Sequence, residues 1–169
     1  RSIGTNMCGL AGILDFSSGT TPDAQLLQAM GNRLLHRGPD GSGIFASGPI
    51  GLAHRRLSII GIEGGDQPIH NEDSTVWVAF NGEIFNYIEL RADLIDAGHR
   101  FYTDTETEVL VHLYEEHGPD FLKRLNGQFA IALWDVSLQR LLLARDHAGI
   151  LTLFYTNDAG RLLFDSEVK

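Results

Sequence analysis

The run Met7-Cys8-Gly9-Leu10-Ala11-Gly12-Ile13 constrains this chain more than any other stretch. It is short and apolar, with glycine at two positions, and reads as a buried strand whose backbone another element approaches closely. Its thiol belongs to the one cysteine among 169 residues. If Cys8 were the first residue, it would carry both a nucleophilic sulfur and a free α-amine. With a reference pKa of about 7.7–8.0, that amine would serve as the thiol's own base near neutral pH. The same residues also fit a cysteine buried as a small hydrophobe.

Composition narrows the class. At 43% apolar and 21% charged residues the chain has the makeup of a single globular domain. A net charge of −9, with Arg55-Arg56 the nearest approach to a basic cluster, excludes a nucleic-acid surface, which needs clustered Lys and Arg. One cysteine rules out an internal disulfide framework and points to a reducing, cytoplasmic setting. No apolar run approaches the ~20 residues of a membrane span, so no membrane partner is expected. Arg1 to Asn6 lack the apolar core of a signal peptide. Residues 1–7 read as a leader or an appended remnant ahead of a domain spanning 8–169.

The rest of the chain alternates clear signals. Thr21 offers a helix N-cap with Pro22 behind it, and Leu26, Leu27, Met30, Leu34 and Leu35 mark its apolar face. Ile44 to Ala46 and Ile50 to His54 read as strands about a Gly48-Pro49 turn. Gly61 to Asn71 reads as a long loop. Thr75 to Phe80 is a strand rich in β-branched and aromatic residues, and Asn81-Gly82 has the composition of a two-residue hairpin turn, with Glu83 to Phe85 returning. A helix capped by Asn86 buries Leu90, Leu94 and Ile95 and ends at Gly98. Another starts at a Thr105-x-x-Glu108 capping box, buries Val109, Leu110, Leu113 and Tyr114, and stops at Gly118-Pro119. The last third is strand-like at Gly127–Val136, Arg140–Arg145, Leu153–Thr156 and Leu162–Phe164, with a final turn at Asn157-Asp158-Ala159-Gly160. Helices at one early and two middle positions between strands imply an α+β layered domain.

Several residues carry chemistry. Arg56 could clamp a carboxylate in bidentate fashion, or simply sit on an edge strand. Beside the turn reading of Asn81-Gly82 stands another, a side-chain amide and a glycine N–H as paired donors to a developing oxyanion. Glu83 suits an amine or solvent. The acids of Thr103-Asp104-Thr105-Glu106 suit a helix dipole or a substrate ammonium. The seven histidines show no HxxxH spacing and have no cysteine partner set, so no metal is expected, and no Gly-rich phosphate loop is present.

No single motif decides the family, but their order does. MCGLAGI, HRGPDGSG, AHRRLSI, DQPI, FNGEIFNY, GHRF before an acidic helix start, LNGQFAIALWD, LLLARDHAGI and LLFDSEVK together closely resemble the glutaminase domain of asparagine-synthetase-type class II glutamine amidotransferases, from Met7 to Lys169. The resemblance implies the N-terminal-nucleophile hydrolase fold, a four-layer αββα sandwich of two antiparallel sheets. It implies Cys8 as the nucleophile with its freed α-amine as base, and Asn81 with the Gly82 N–H as oxyanion hole. Arg56 would pair with the glutamine α-carboxylate, Glu83 and Glu106 would hold its other polar groups, and Leu57, Ile59 and Ile60 would lend backbone contacts.

The reaction implied is hydrolysis of L-glutamine to glutamate and ammonia through a glutamyl thioester, with ammonia destined for an ATP-dependent synthetase domain. ATP and Mg would belong to that absent domain, and this one would need no cofactor. An apolar face exposed by that absence would favour self-association, for example as a homodimer. A non-catalytic glutamine-binding or scaffolding module, and an amide hydrolase of the same fold with another substrate, are the competing functions. Three departures from the family pattern stand out: residues before Cys8, Glu106 where the family usually carries Asp, and Thr152 and Asp165 near the end.

Overall fold

The computed structural model describes residues 7–57 and 65–168. Two antiparallel sheets form its centre. In chain order the elements are β1 (Gly9–Asp15), α1 (Ala24–Arg33), β2 (Gly41–Ser47), β3 (Ile50–Arg56), β4 (Ile69–His70), β5 (Val76–Ile84), α2 (Tyr87–Asp96), α3 (Glu106–His117), a 3-10 helix (Gly118–Arg124), β6 (Gly127–Asp135), β7 (Arg140–Arg145), β8 (Phe154–Asp158) and β9 (Arg161–Asp165). One sheet runs β2-β3-β1-β9-β8, the other β4-β5-β6-β7.

Period-two alternation in the strands builds the layers, because neighbouring side chains point to opposite faces. Ile13 of β1 and Ala53 of β3 pack on Leu27 of α1, which makes one outer layer. Leu10, Ile50, Leu52 and Phe164 face Ala79, Ala130, Ala132 and Trp134 between the sheets. Val76, Val78 and Phe80 of β5, with Phe129, Ile131 and Leu133 of β6, turn the other way onto Leu90, Leu94, Val109 and Leu113 of α2 and α3. Three apolar interfaces thus separate four layers, helix, sheet, sheet, helices, as the resemblance implies. Helix α3 is buried from Glu106 to Tyr114, far more than a surface helix would be. Among the described residues no helix is long and apolar enough to cross a membrane.

Local readings needed adjustment where tertiary partners compete. Helix α1 is capped by Asp23, whose carboxylate accepts from the Gln25 N–H at 2.7 Å, rather than by Thr21. Leu26, Leu35 and Ile95 are exposed, because each helix has only one packed face. Asn86 spends its amide on Arg124 and Asn126 instead of capping α2. Glu108 passes over Thr105 and accepts from the Tyr102 and Thr103 N–H groups at 2.8 and 2.6 Å. The hairpin reading of Asn81-Gly82 is overturned. β5 runs straight through both, opposite Ala130 and Phe129 of β6. Two-residue hairpin turns form instead at Gly48-Pro49 between β2 and β3 and at Ala159-Gly160 between β8 and β9, the latter with positive φ at both residues, which suits strand twist.

Candidate active site

Cys8 stands just before β1, and the motifs that looked unspecific in the sequence hold it there. Its thiol accepts from the Leu57 N–H at 3.3 Å and lies 3.6 Å from the Leu57 carbonyl. The Arg37 guanidinium donates to the Cys8 carbonyl at 3.0 Å and pairs with Glu167 at 3.2 Å, where His36 also reaches. The buried Ser166 hydroxyl accepts from the Leu10 N–H at 3.0 Å. The His36-Arg37 loop and the Ser166-Glu167 end therefore clamp the start of β1 from both sides. Asp165 and Thr152, puzzling in the sequence, serve the same corner. The Asp165 carboxylate accepts from the Glu167 N–H at 2.9 Å, and the Thr152 hydroxyl donates to the Ser166 carbonyl at 2.7 Å.

A cavity of about 230 Å³ opens beside the thiol. Met7, Cys8, Arg56 and Leu57 line one part of it, and Asn81, Gly82, Glu83 and Glu106 another. Every candidate site residue within the described range thus meets at one cavity. Ile59 and Ile60, and residues 61–64 of the loop read at Gly61 to Asn71, lie outside the described residues. The cavity is smaller than the 300–1,000 Å³ common for drug-sized ligands, which suits a small metabolite. Arg56 closes β3, an internal strand between β2 and β1, so the edge-strand reading does not hold. It is 6% exposed, and its guanidinium is 3.6 Å from Asp66. A Cβ on Gly65 would stand 2.4 Å from that guanidinium, so the glycine lets the chain close over it.

The donors come from the free edge of β5 beyond the two residues of β4. Ladder bonds alternate along an antiparallel strand. The Phe80 N–H turns away from β6 to the buried Gln67 side chain, and the Ile84 N–H to Glu106 at 2.5 Å. The same alternation turns the Gly82 N–H to that edge, between them. Gly82 has φ of +147°, and a Cβ there would stand 2.1 Å from the Gln128 carbonyl, so close approach to β6 demands glycine. Asn81 is 1% exposed, yet its amide Nδ2 has no hydrogen-bond partner among the described residues. Buried donors are normally satisfied, and this one belongs to a residue that lines the cavity.

Electrostatics complete the site. Burial pushes the Cys8 thiol above its usual range, against the pull of the Leu57 N–H and the Arg56 charge. Burial likewise raises Glu106 to about 7, with the Ile84 N–H opposing and Glu83 adding to it. No motif spacing marks Gln67, Thr107 or His54 as a functional residue in the sequence. Gln67 and Thr107 also line the cavity; the Gln67 side chain accepts from the Phe80 N–H at 2.6 Å and donates to the Thr107 hydroxyl at 3.2 Å. His54 is buried between the sheets, and its Nε2 meets the Phe80 carbonyl at 3.0 Å. The alternation of β3 that carried Ile50 and Leu52 inward was the signal that could have placed it there.

His54 and Glu106 predict opposed pH effects on stability. Burial lowers His54 from 6.5 to about 4, so its contribution is present above pH 6.5 and is lost as pH falls through 4, up to about 3 kcal/mol. Glu106 is raised from 4.5 to about 7, so its contribution is present below pH 4.5 and is lost as pH rises through 7. Between them the slopes offset. Urea unfolding of Glu106→Gln should therefore show stability falling on acidification, and His54→Gln stability falling on alkalinisation. Parallel profiles in the two variants would refute the assignment.

Comparison with known proteins bears on this geometry. Residues 7–169 match the family described as the glutamine amidotransferase domain. The chain is 42% identical over 165 residues to asparagine synthetase (glutamine-hydrolyzing) 2 of Bacillus subtilis, an alignment covering 96% of the chain and 22% of that relative. It is 41% identical over 164 residues to asparagine synthetase B (glutamine-hydrolyzing) of Escherichia coli, covering 96% and 29%. The chain therefore spans less than a third of the length of these relatives. The solved structure of glutamine phosphoribosylpyrophosphate amidotransferase from B. subtilis, complexed with ADP and GMP, superposes with a TM-score of 0.74 at 22% identity. That match covers 94% of this chain and 42% of the other, and it speaks to the fold alone.

Proposed function

The chain belongs to the glutamine amidotransferase domain family, and from that premise we propose that it hydrolyses L-glutamine to glutamate and ammonia with Cys8 as the nucleophile. The observation that carries the reading is the convergence on one cavity of a thiol, an unpartnered buried amide donor and a glycine N–H, with a guanidinium and two carboxylates in the same walls.

In this mechanism a free α-amine on Cys8 takes the thiol proton, and the sulfur attacks the side-chain carbonyl carbon of glutamine. The oxyanion settles between Asn81 Nδ2 and the Gly82 N–H. The protonated amine then gives its proton to the departing nitrogen, which leaves as ammonia, and a glutamyl thioester remains. Water attacks the thioester with the amine again as base, releasing glutamate and restoring the thiol. Arg56 holds the α-carboxylate, while Glu83 and Glu106 hold the α-ammonium. The domain itself supplies all of these groups and calls for no cofactor. The ammonia acceptor, by analogy with the relatives' names, would be an ATP-dependent asparagine-synthetase-like region acting in a cytoplasmic setting. The exposed edge strand β8, with Phe154 and Tyr155, offers it a packing face.

Glutamate release by protein beginning at Cys8, beside a Cys8→Ala control, tests the reading; no release from folded protein would favour a glutamine-binding module instead. Glu106 adds a finer expectation. The carboxylate must be charged to hold an ammonium, so KM for glutamine should fall as pH rises through about 7. Shortening it by one methylene in Glu106→Asp should lower KM several-fold at neutral pH. An unchanged KM and an unmoved pH profile would remove Glu106 from substrate binding.

A further inference from the structure

On the helical side of the second sheet, away from the cavity, two histidines and two glutamates converge. They are Glu72 from the turn between β4 and β5, His99 just beyond α2, and His112 and Glu115 three residues apart on α3. We propose that these four side chains bind a divalent transition cation of the zinc class, at a site that shares no residue with the lining of the Cys8 cavity.

The geometry supports a four-coordinate site. His112 Nδ1 lies 2.9 Å from Glu115 Oε2 and 3.5 Å from Glu72 Oε2. His99 Nδ1 lies 3.8 Å from Glu72 Oε1 and 3.7 Å from Glu115 Oε2. Zinc–ligand bonds of about 2.0–2.1 Å in a tetrahedron place ligand atoms about 3.3 Å apart, within the spread of these separations. Each imidazole therefore turns Nδ1 inward.

The outer nitrogen of His99 is hydrogen-bonded to a carboxylate and that of His112 faces one without a hydrogen bond; an outer carboxylate orients and strengthens a metal-bound histidine. His99 Nε2 is 3.0 Å from Glu116, and His112 Nε2 is 3.5 Å from the fully buried Glu108. Glu108 is fixed in turn by the Tyr102 and Thr103 N–H groups. The two carboxylates are also held: Glu72 accepts from the Arg100 N–H at 2.9 Å, and Glu115 from the Asn71 amide at 2.8 Å. With the ion bound and the imidazoles deprotonated, two neutral imidazoles and two carboxylates balance a dication. The nitrogen donors disfavour magnesium and calcium, which take oxygen shells. The expectation of no metal rested on HxxxH and cysteine spacings, and this set, drawn from three separate elements, has neither. A bound ion would tie the β4–β5 turn to both helices.

Zinc titration of the full chain, in a Cys8→Ser background so that the thiol does not compete, tests the site. One equivalent of Zn2+ should stay bound through gel filtration and raise Tm, and Co2+ should give the visible absorption of a four-coordinate site. His99→Gln and Glu115→Gln should retain less than a tenth as much, with circular dichroism unchanged. The surface variant Glu116→Gln, which removes only an outer carboxylate, should weaken affinity about 10–100-fold. No retained zinc in the parent, or retention unmoved in His99→Gln and Glu115→Gln, would overturn the proposal.

Discussion

Glutamine hydrolysis by protein whose first residue is Cys8 is expected to fall by about 10²–10⁴-fold when Met7 is retained, the share of the rate that a positioned general base supplies. The reason is the state of one nitrogen. At a chain start it is an amine that can hold a proton near neutral pH; behind Met7 it is an amide with no basic lone pair. Nothing else among the described residues stands ready to replace it at the thiol, whose recorded partners are the Leu57 N–H and carbonyl. Burial makes the loss worse, because a thiol pushed above its usual range offers little thiolate without help. Met7 also lines the cavity itself. Glutamate release measured on the two species, each verified by intact mass, checks this. Equal rates would mean that the base is another group. Cys8→Ala should release no glutamate above background from either start.

The second large effect is expected at Asn81. Asn81→Ala should lower kcat by about 10²–10³ while leaving KM nearly unchanged, because the amide donates only to charge that develops during reaction. The substitution isolates that role unusually well. Among the described residues Asn81 Nδ2 has no hydrogen bond to lose, so stability should change little. Asn81→Asp replaces the donor by a negative charge and should be at least as damaging. A raised KM with kcat intact would instead assign Asn81 to ground-state binding. The neighbouring donor cannot be tested in the same way, since Gly82→Ala would drive a Cβ against the Gln128 carbonyl and distort β5.

Much of this was written locally in the chain. The alternating runs of β3, β5 and β6, the apolar faces of α2 and α3, and the glycine-bearing strand behind Cys8 are short-range patterns. Side chains two or four residues apart already say which face is buried. The candidate chemistry could be named locally too, because a thiol that can stand beside its own amine needs no distant partner to be proposed.

What the sequence could not contain is the outcome of competition between distant partners. Asn81-Gly82 has the composition of a hairpin turn. It became continuous strand because β6 pairs with both residues and buries the strand's far face. Glu108 fits a local capping box, yet two N–H groups upstream of the cap hold it more closely. His54 was one histidine among seven until the sheets packed and brought Phe80 to it across 26 positions. Likewise, Glu72, His99, His112 and Glu115 become neighbours only when the β4–β5 turn, the end of α2 and the face of α3 come together. Local sequence marked most of the strands and helices and singled out Cys8 as the candidate nucleophile. Long-range register and packing alone decided which polar groups are left facing one another, because those contacts join residues that no spacing rule connects.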